Sequence, residues 1–165
     1  MGFETRDIVQ GERKIVVTQL DSFDALDLLA KLGDILAPSL VLMIAREQFV
    51  GDVLVDGETL ADATSAAISK IKNRAERELL IHQIFAKTEV IVDGRKVEPT
   101  NKAAIAQAFG PDLLAMFQAL GFVLHVQFGP FLPVVFAFIR QRLAAAAKAA
   151  SDSSSTVTPN SAASG

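Results

Sequence analysis

Two histidines, His82 and His125, are the only side chains here that ordinarily titrate near neutral pH. His82 follows Glu78 by four residues, a spacing that puts both on one helix face. Such a pair holds a metal only with a third ligand, and none stands nearby in the sequence. A Glu–His surface contact is the simpler reading. His125 sits in an apolar stretch, where a core histidine is expected. The chain has no cysteine, which excludes disulfides, thiolate zinc sites and thiol nucleophiles. It contains no GxGxxG, GxxxxGKS/T, HExxH or GxSxG. Ser151, Ser153, Ser154 and Ser155 have no histidine near them in sequence. The carboxylates are scattered over solvent faces at helical spacing, with no pair set for acid–base work. These residues point away from catalysis, and no cofactor or metal is expected.

What is left to recognise a partner is apolar. Hydrophobic residues make up 50% of the chain, and the mean hydropathy of +0.34 is high for a soluble domain. That much apolar surface must be buried in a core or covered by something else. The stretch 113–139 has no Asp, Glu, Lys or Arg and holds six of the 11 phenylalanines: Phe117, Phe122, Phe128, Phe131, Phe136 and Phe138. Three readings compete for it. It is ordinary core, since helices apolar all round are buried ones. It enters a membrane. Or it docks a protein, because aromatic rings bury a large area for few rotamers. Gly129-Pro130 and Pro133 divide it into two helices of about 15 residues, each about 23 Å long. That falls short of the ~30 Å hydrocarbon core, which makes membrane insertion the weaker reading.

Charge narrows the partners further. The net charge is −3 and the pI about 5.4. The densest basic window, Lys70, Lys72, Arg74 and Arg77, is interrupted by Glu76 and flanked by Glu78. A nucleic-acid binder needs a net basic face, so none is expected here. The N-terminus is charged, with no apolar run long enough for a signal peptide.

The elements that would position these residues read as a mainly α, compact helical domain over 1–143. Its N-terminus is a small β-hairpin, with arms 3–9 and 13–20 about a turn at Gln10-Gly11-Glu12. The β-branched run Ile15-Val16-Val17-Thr18 favours extended backbone. From Asp21 or Ser22, a helical cap, Leu28, Leu32, Ile35 and Leu36 fall on one face with Leu29 beside them. Pro38 should break or restart this helix, which continues over 39–48. Residues 49–57 are ambiguous. Helices follow at 60–73 and 74–87, the second burying Leu80, Ile81, Ile84 and Phe85. Asp93-Gly94 marks a second hairpin near 89–98, because a type I′ turn needs two residues tolerant of positive φ. A short helix over 101–109 ends at Gly110. The next runs to about Phe128 with Pro111 in its first turn. The last runs from Pro133 to about Ala149. The Ala/Ser/Thr-rich stretch 144–165 has nothing to pack and is expected to be a disordered tail.

Three segments in this order carry a family likeness: Val17-Thr18-Gln19-Leu20, Ala25-Leu26-Asp27-Leu28-Leu29-Ala30-Lys31-Leu32-Gly33, and Phe122-Val123-Leu124-His125-Val126-Gln127-Phe128-Gly129-Pro130-Phe131-Leu132. The pattern resembles the tail assembly chaperones of long-tailed bacteriophages over residues 13–36 and 111–132. It departs from the family at Gln127, usually Asn, and at Pro130 and Leu132, where an acidic residue and a second Phe are usual. The resemblance implies a protein that binds and solubilises the tape measure protein and helps recruit tail tube subunits. It implies action in the cytoplasm of the bacterial host and absence from the mature virion. Self-association is compatible with such a role. The partner-binding candidates are Phe117, Phe122, Gln127, Phe128, Phe131, Phe136 and Phe138. A small membrane-associated protein inserting 113–139 and a structural subunit of a virion assembly are the alternatives.

Overall fold

A computed structural model describes residues 3–45, 57–129 and 131–154; side chains at 36, 37, 39–45, 57–60, 132, 133, 135, 136, 138, 139 and 154 fall outside that description. The described elements are β1 (Thr5–Gln10), β2 (Arg13–Thr18), α1 (Ser22–Ala45), α2 (Gly57–Ser69), α3 (Arg74–Ile84), β3 (Thr88–Val92), β4 (Arg95–Val97), α4 (Lys102–Phe109), α5 (Leu113–Phe128) and α6 (Leu132–Ser154).

Both expected hairpins form. Gln10 pairs with Arg13 and Val92 with Arg95, so each loop has two residues. Asp93 and Gly94 have φ of 50° and 74°, the pair of positive values a type I′ turn requires. The hairpins do not stand apart. β2 pairs antiparallel with β3, Ile15 opposite Val90, giving one four-stranded sheet in the order β1-β2-β3-β4. Alternation along the strands turns Ile15, Val17, Val90 and Val97 inward. The opposite face is charged, with Lys14 paired to Asp7 and Lys96 to Glu89.

The helices cover the inner face of the sheet, and α5 is the central one. It packs on α2, α3, α4 and β2. Ala61, Ala63 and Ala67 of α2 are buried, as are Ala115, Ala119 and Gly121 of α5. These small side chains let the two helices pack closely, and α2 with α5 is the broadest helix contact. α3 starts at Asn73, whose side chain accepts from the amides of Ala75 and Glu76, and buries Leu80 and Ile84. Phe85 at its end lies 5.7 Å from Phe109, ring centre to ring centre, in a stacked pair. Arg13 lies over Phe109 and donates to the carbonyls of Ala108 (2.9 Å) and Phe109 (3.3 Å), so β2 closes the C-terminus of α4.

Four expectations need correction. α1 does not stop at Pro38 but carries it inside. A proline there removes one main-chain donor, and the turns on either side keep their own bonds. Pro111 does not open α5; Asp112 is the cap, its side chain accepting from the amide of Ala115 (3.0 Å). α6 runs to Ser154, past the expected end near Ala149. Residues 144–154, expected to be disordered, are thus helical and alanine-rich, with 144–153 exposed. The ambiguous 49–56 lies outside the described residues.

Candidate docking groove

The segments 17–33 and 122–131 are far apart in sequence and meet in space. The strap between them is Gln127. It is buried, and its side-chain amide donates to the carbonyl of Thr18 (2.9 Å) while its oxygen accepts from the amide of Leu20 (2.8 Å). Thr18 is the last residue of β2 and Leu20 lies just past it, where the ladder ends. Gln127 therefore completes the hydrogen bonding of the strand's exit and fixes where α1 begins.

α1 then starts at Asp21, whose carboxylate accepts from the amides of Asp24 (2.9 Å) and Phe23 (3.0 Å). The bond from the Asp24 amide holds the Asp21 carboxyl below its ordinary range. The neighbouring charge of Asp21 pushes the Asp24 carboxyl up.

At the other end, α5 stops at Gly129, whose amide bonds the carbonyl of His125 (2.8 Å). A Cβ at Gly129 would lie 2.5 Å from that carbonyl oxygen, so only glycine fits without a shift. The amide of Phe131 bonds the carbonyl of Phe128 (2.8 Å), and the chain turns into α6. The turn leaves the two rings differently covered. Phe128 is buried, whereas Phe131 is 61% exposed.

Between the start of α1 and this corner runs a groove of about 330 Å³, with Leu20, Ala25, Leu26, Leu29, Phe128 and Phe131 on its walls and floor. Leu26 and Phe131, exposed at 63% and 61%, form its lips. Gln19, Ser22 and Gln127 also line it, so the groove is mainly apolar, suited to apolar side chains of another chain, with a few polar groups among them.

The expected partner-binding residues separate here. Gln127 and Phe128 are held inside the chain, as strap and floor, because the end of α5 packs under β2 and α1. Phe117 and Phe122 are half-buried against the core. Phe131 alone of the set is exposed among the described side chains; those of Phe136 and Phe138 fall outside the description. Leu26 and Leu29 were missed. Their signal was an apolar face on α1 wider than Leu28 and Leu32 needed for burial. Glu78 bonds Arg74 (2.8 Å), which holds its carboxyl below the ordinary range. No group of three His, Cys, Asp or Glu placed for a metal occurs among the described residues.

No single helix among the described residues is long and apolar enough to cross a membrane. α4 and α5 together have the length and composition, but they are bent by 108°. Phe109, Leu120, Val123 and Leu124 of that pair are buried in the core.

The fold is a helical domain with a small four-stranded sheet and an open, mainly apolar groove. The chain matches the family model described as phage tail assembly chaperone protein, TAC, over residues 11–142. It belongs to that family of tail assembly chaperones. No curated protein and no solved structure matches it.

Proposed function

We propose that this tail assembly chaperone holds apolar segments of the tape measure protein in the groove between α1 and the Gly129 corner. It keeps that client soluble and helps bring tail tube subunits to it, in the host cytoplasm, and leaves before the virion is complete. The observation that carries the reading is the convergence of the two resembling segments, 13–36 and 111–132, on one open apolar groove. Such a site suits a holder of clients, because dispersion and burial bind without demanding particular hydrogen bonds and release needs no covalent step. The working unit is 1–143, and the exposed, alanine-rich end of α6 continues from it.

Co-expression with the tape measure protein tests this. The wild-type chain is expected to bring the client into the soluble fraction and co-purify with it. Leu26→Ser with Phe131→Ser, two substitutions at exposed positions, is expected to lose most of that capture while keeping the wild-type melting temperature. Undiminished capture by the folded double variant would move the client off the groove. A client that stays insoluble and unbound with the wild-type chain would remove the function itself.

A further inference from the structure

β1 is an edge of the sheet, and its open side is well defined. The amide of Gln19 bonds the carbonyl of Glu4 (2.9 Å), and Thr5 lies opposite Thr18 in the register. Antiparallel pairing alternates, so Arg6, Ile8 and Gln10 exchange their main-chain bonds with β2. Thr5, Asp7 and Val9 turn their N–H and C=O groups outward. The other edge, β4, has three residues and is guarded by Arg95 and Lys96, both exposed. β1 has six residues and exposes Ile8 and Val9. Its charges are already paired within the chain, Arg6 to Glu4 and Asp7 to Lys14, so covering the strand buries no lone charge. A depression of about 380 Å³ opens between β1 and α5, with Ile8, Gln118, Phe122 and His125 among its walls. The side-chain oxygen of Gln10, also there, is buried and accepts no hydrogen bond.

We propose that β1 of a second copy occupies this edge, antiparallel and about a two-fold axis, joining two four-stranded sheets into one. The charges on β1 narrow the register of an antiparallel occupant. Centring the pair on Asp7 sets Asp7 against the partner's Asp7, and centring it on Arg6 sets Arg6 against the partner's Arg6. Like charges directly opposite are unfavourable. Centring on Thr5 avoids both but leaves Ile8 and Val9 beyond the paired strands, and centring on Val9 pairs only Ile8, Val9 and Gln10. Centring on Ile8 sets Asp7 against the partner's Val9 and Arg6 against the partner's Gln10, with no like charges opposed within β1. Its main-chain bonds fall on Asp7 and Val9, whose groups are the open ones. The two Ile8 side chains then meet at a closely spaced, non-hydrogen-bonded position on the α5 side of the sheet, over the depression beside Phe122. An isologous contact of this kind closes at two copies.

The cysteine-free chain allows a clean test. By light scattering after gel filtration, the full chain is expected at twice its 17.6 kDa. Ile8→Cys is expected to form a disulfide-linked dimer on oxidation with diamide, because each thiol faces its own copy across the axis. Arg6→Cys, which faces the partner's Gln10, is expected to stay largely uncross-linked. Asp7→Pro removes an amide that bonds nothing within its own sheet, a place where an edge strand tolerates proline. It is expected to give a monomer with an unchanged far-ultraviolet spectrum. A monomeric wild-type chain, a dimer indifferent to Asp7→Pro, or cross-linking as ready through Arg6→Cys as through Ile8→Cys would overturn the proposal. If Asp7→Pro unfolds, the comparison of the two cysteine variants still decides. The client capture described above is read separately, so this interface can fail while the chaperone reading stands.

Discussion

At the residue scale, Gln127 shows how one polar side chain organises an apolar site. It lies in the most hydrophobic helix of the protein and is still buried, because its two hydrogen bonds replace those lost to water. Replacing it with leucine keeps the bulk and leaves the Leu20 amide and Thr18 carbonyl without their partner. Each such group costs about 1 to 3 kcal/mol when it stays buried. Gln127→Leu is therefore expected to lower stability by about 3 kcal/mol in urea denaturation. A change within about 0.5 kcal/mol would mean that water or a shift of α1 satisfies both groups. An Asn at this position would be shorter by one methylene. It reaches the same two groups only if α5 and β2 sit closer together.

At the element scale, turns and caps decide where the strands and helices meet. The β3–β4 loop needs positive φ at both Asp93 and Gly94, and at Gly94 the value is 74°. Gly94→Ala meets no neighbour within 4 Å, so its cost is backbone strain alone. That cost is expected to be about 1 kcal/mol, seen as a lower midpoint in thermal unfolding. An unchanged midpoint would show that the loop adopts another turn type. β4 is short and charged, and β3 gains its other partner from β2, so the sheet should survive the change.

At the scale of the whole molecule, the sharp question is which aromatic rings belong to the core and which to the surface. Phe128 is buried in the cluster shared by β2, α1, α2 and α5, whereas Phe131 lies at the groove's lip. Phe128→Ala is expected to cost about 3 to 5 kcal/mol by creating a cavity. Phe131→Ala is expected to stay within about 0.5 kcal/mol of wild type. Chemical denaturation of the two variants measures this directly. Equal losses would mean that the corner packs as a unit and that the groove is closed in solution.

The sequence by itself determined the local structure and the absence of recognisable chemistry. The type I′ turn, the amphipathic period of α1 and α3 and the break at Gly129 each follow from a few neighbouring residues and their dihedral preferences. The break that separates α5 from α6 was legible for that reason, but not which of Phe128 and Phe131 it would leave exposed. The tertiary structure alone decided that the two hairpins share one sheet, that α1 runs through Pro38, and that Gln127 straps α5 to the end of β2. Each depends on a contact between segments far apart in the chain. A lone glutamine in an apolar run carries no mark of the backbone groups it will meet. The same reason kept Leu26 and Leu29 hidden. An apolar side chain reads alike whether it enters the core or lines a groove, and only the packing of the rest of the chain separates the two.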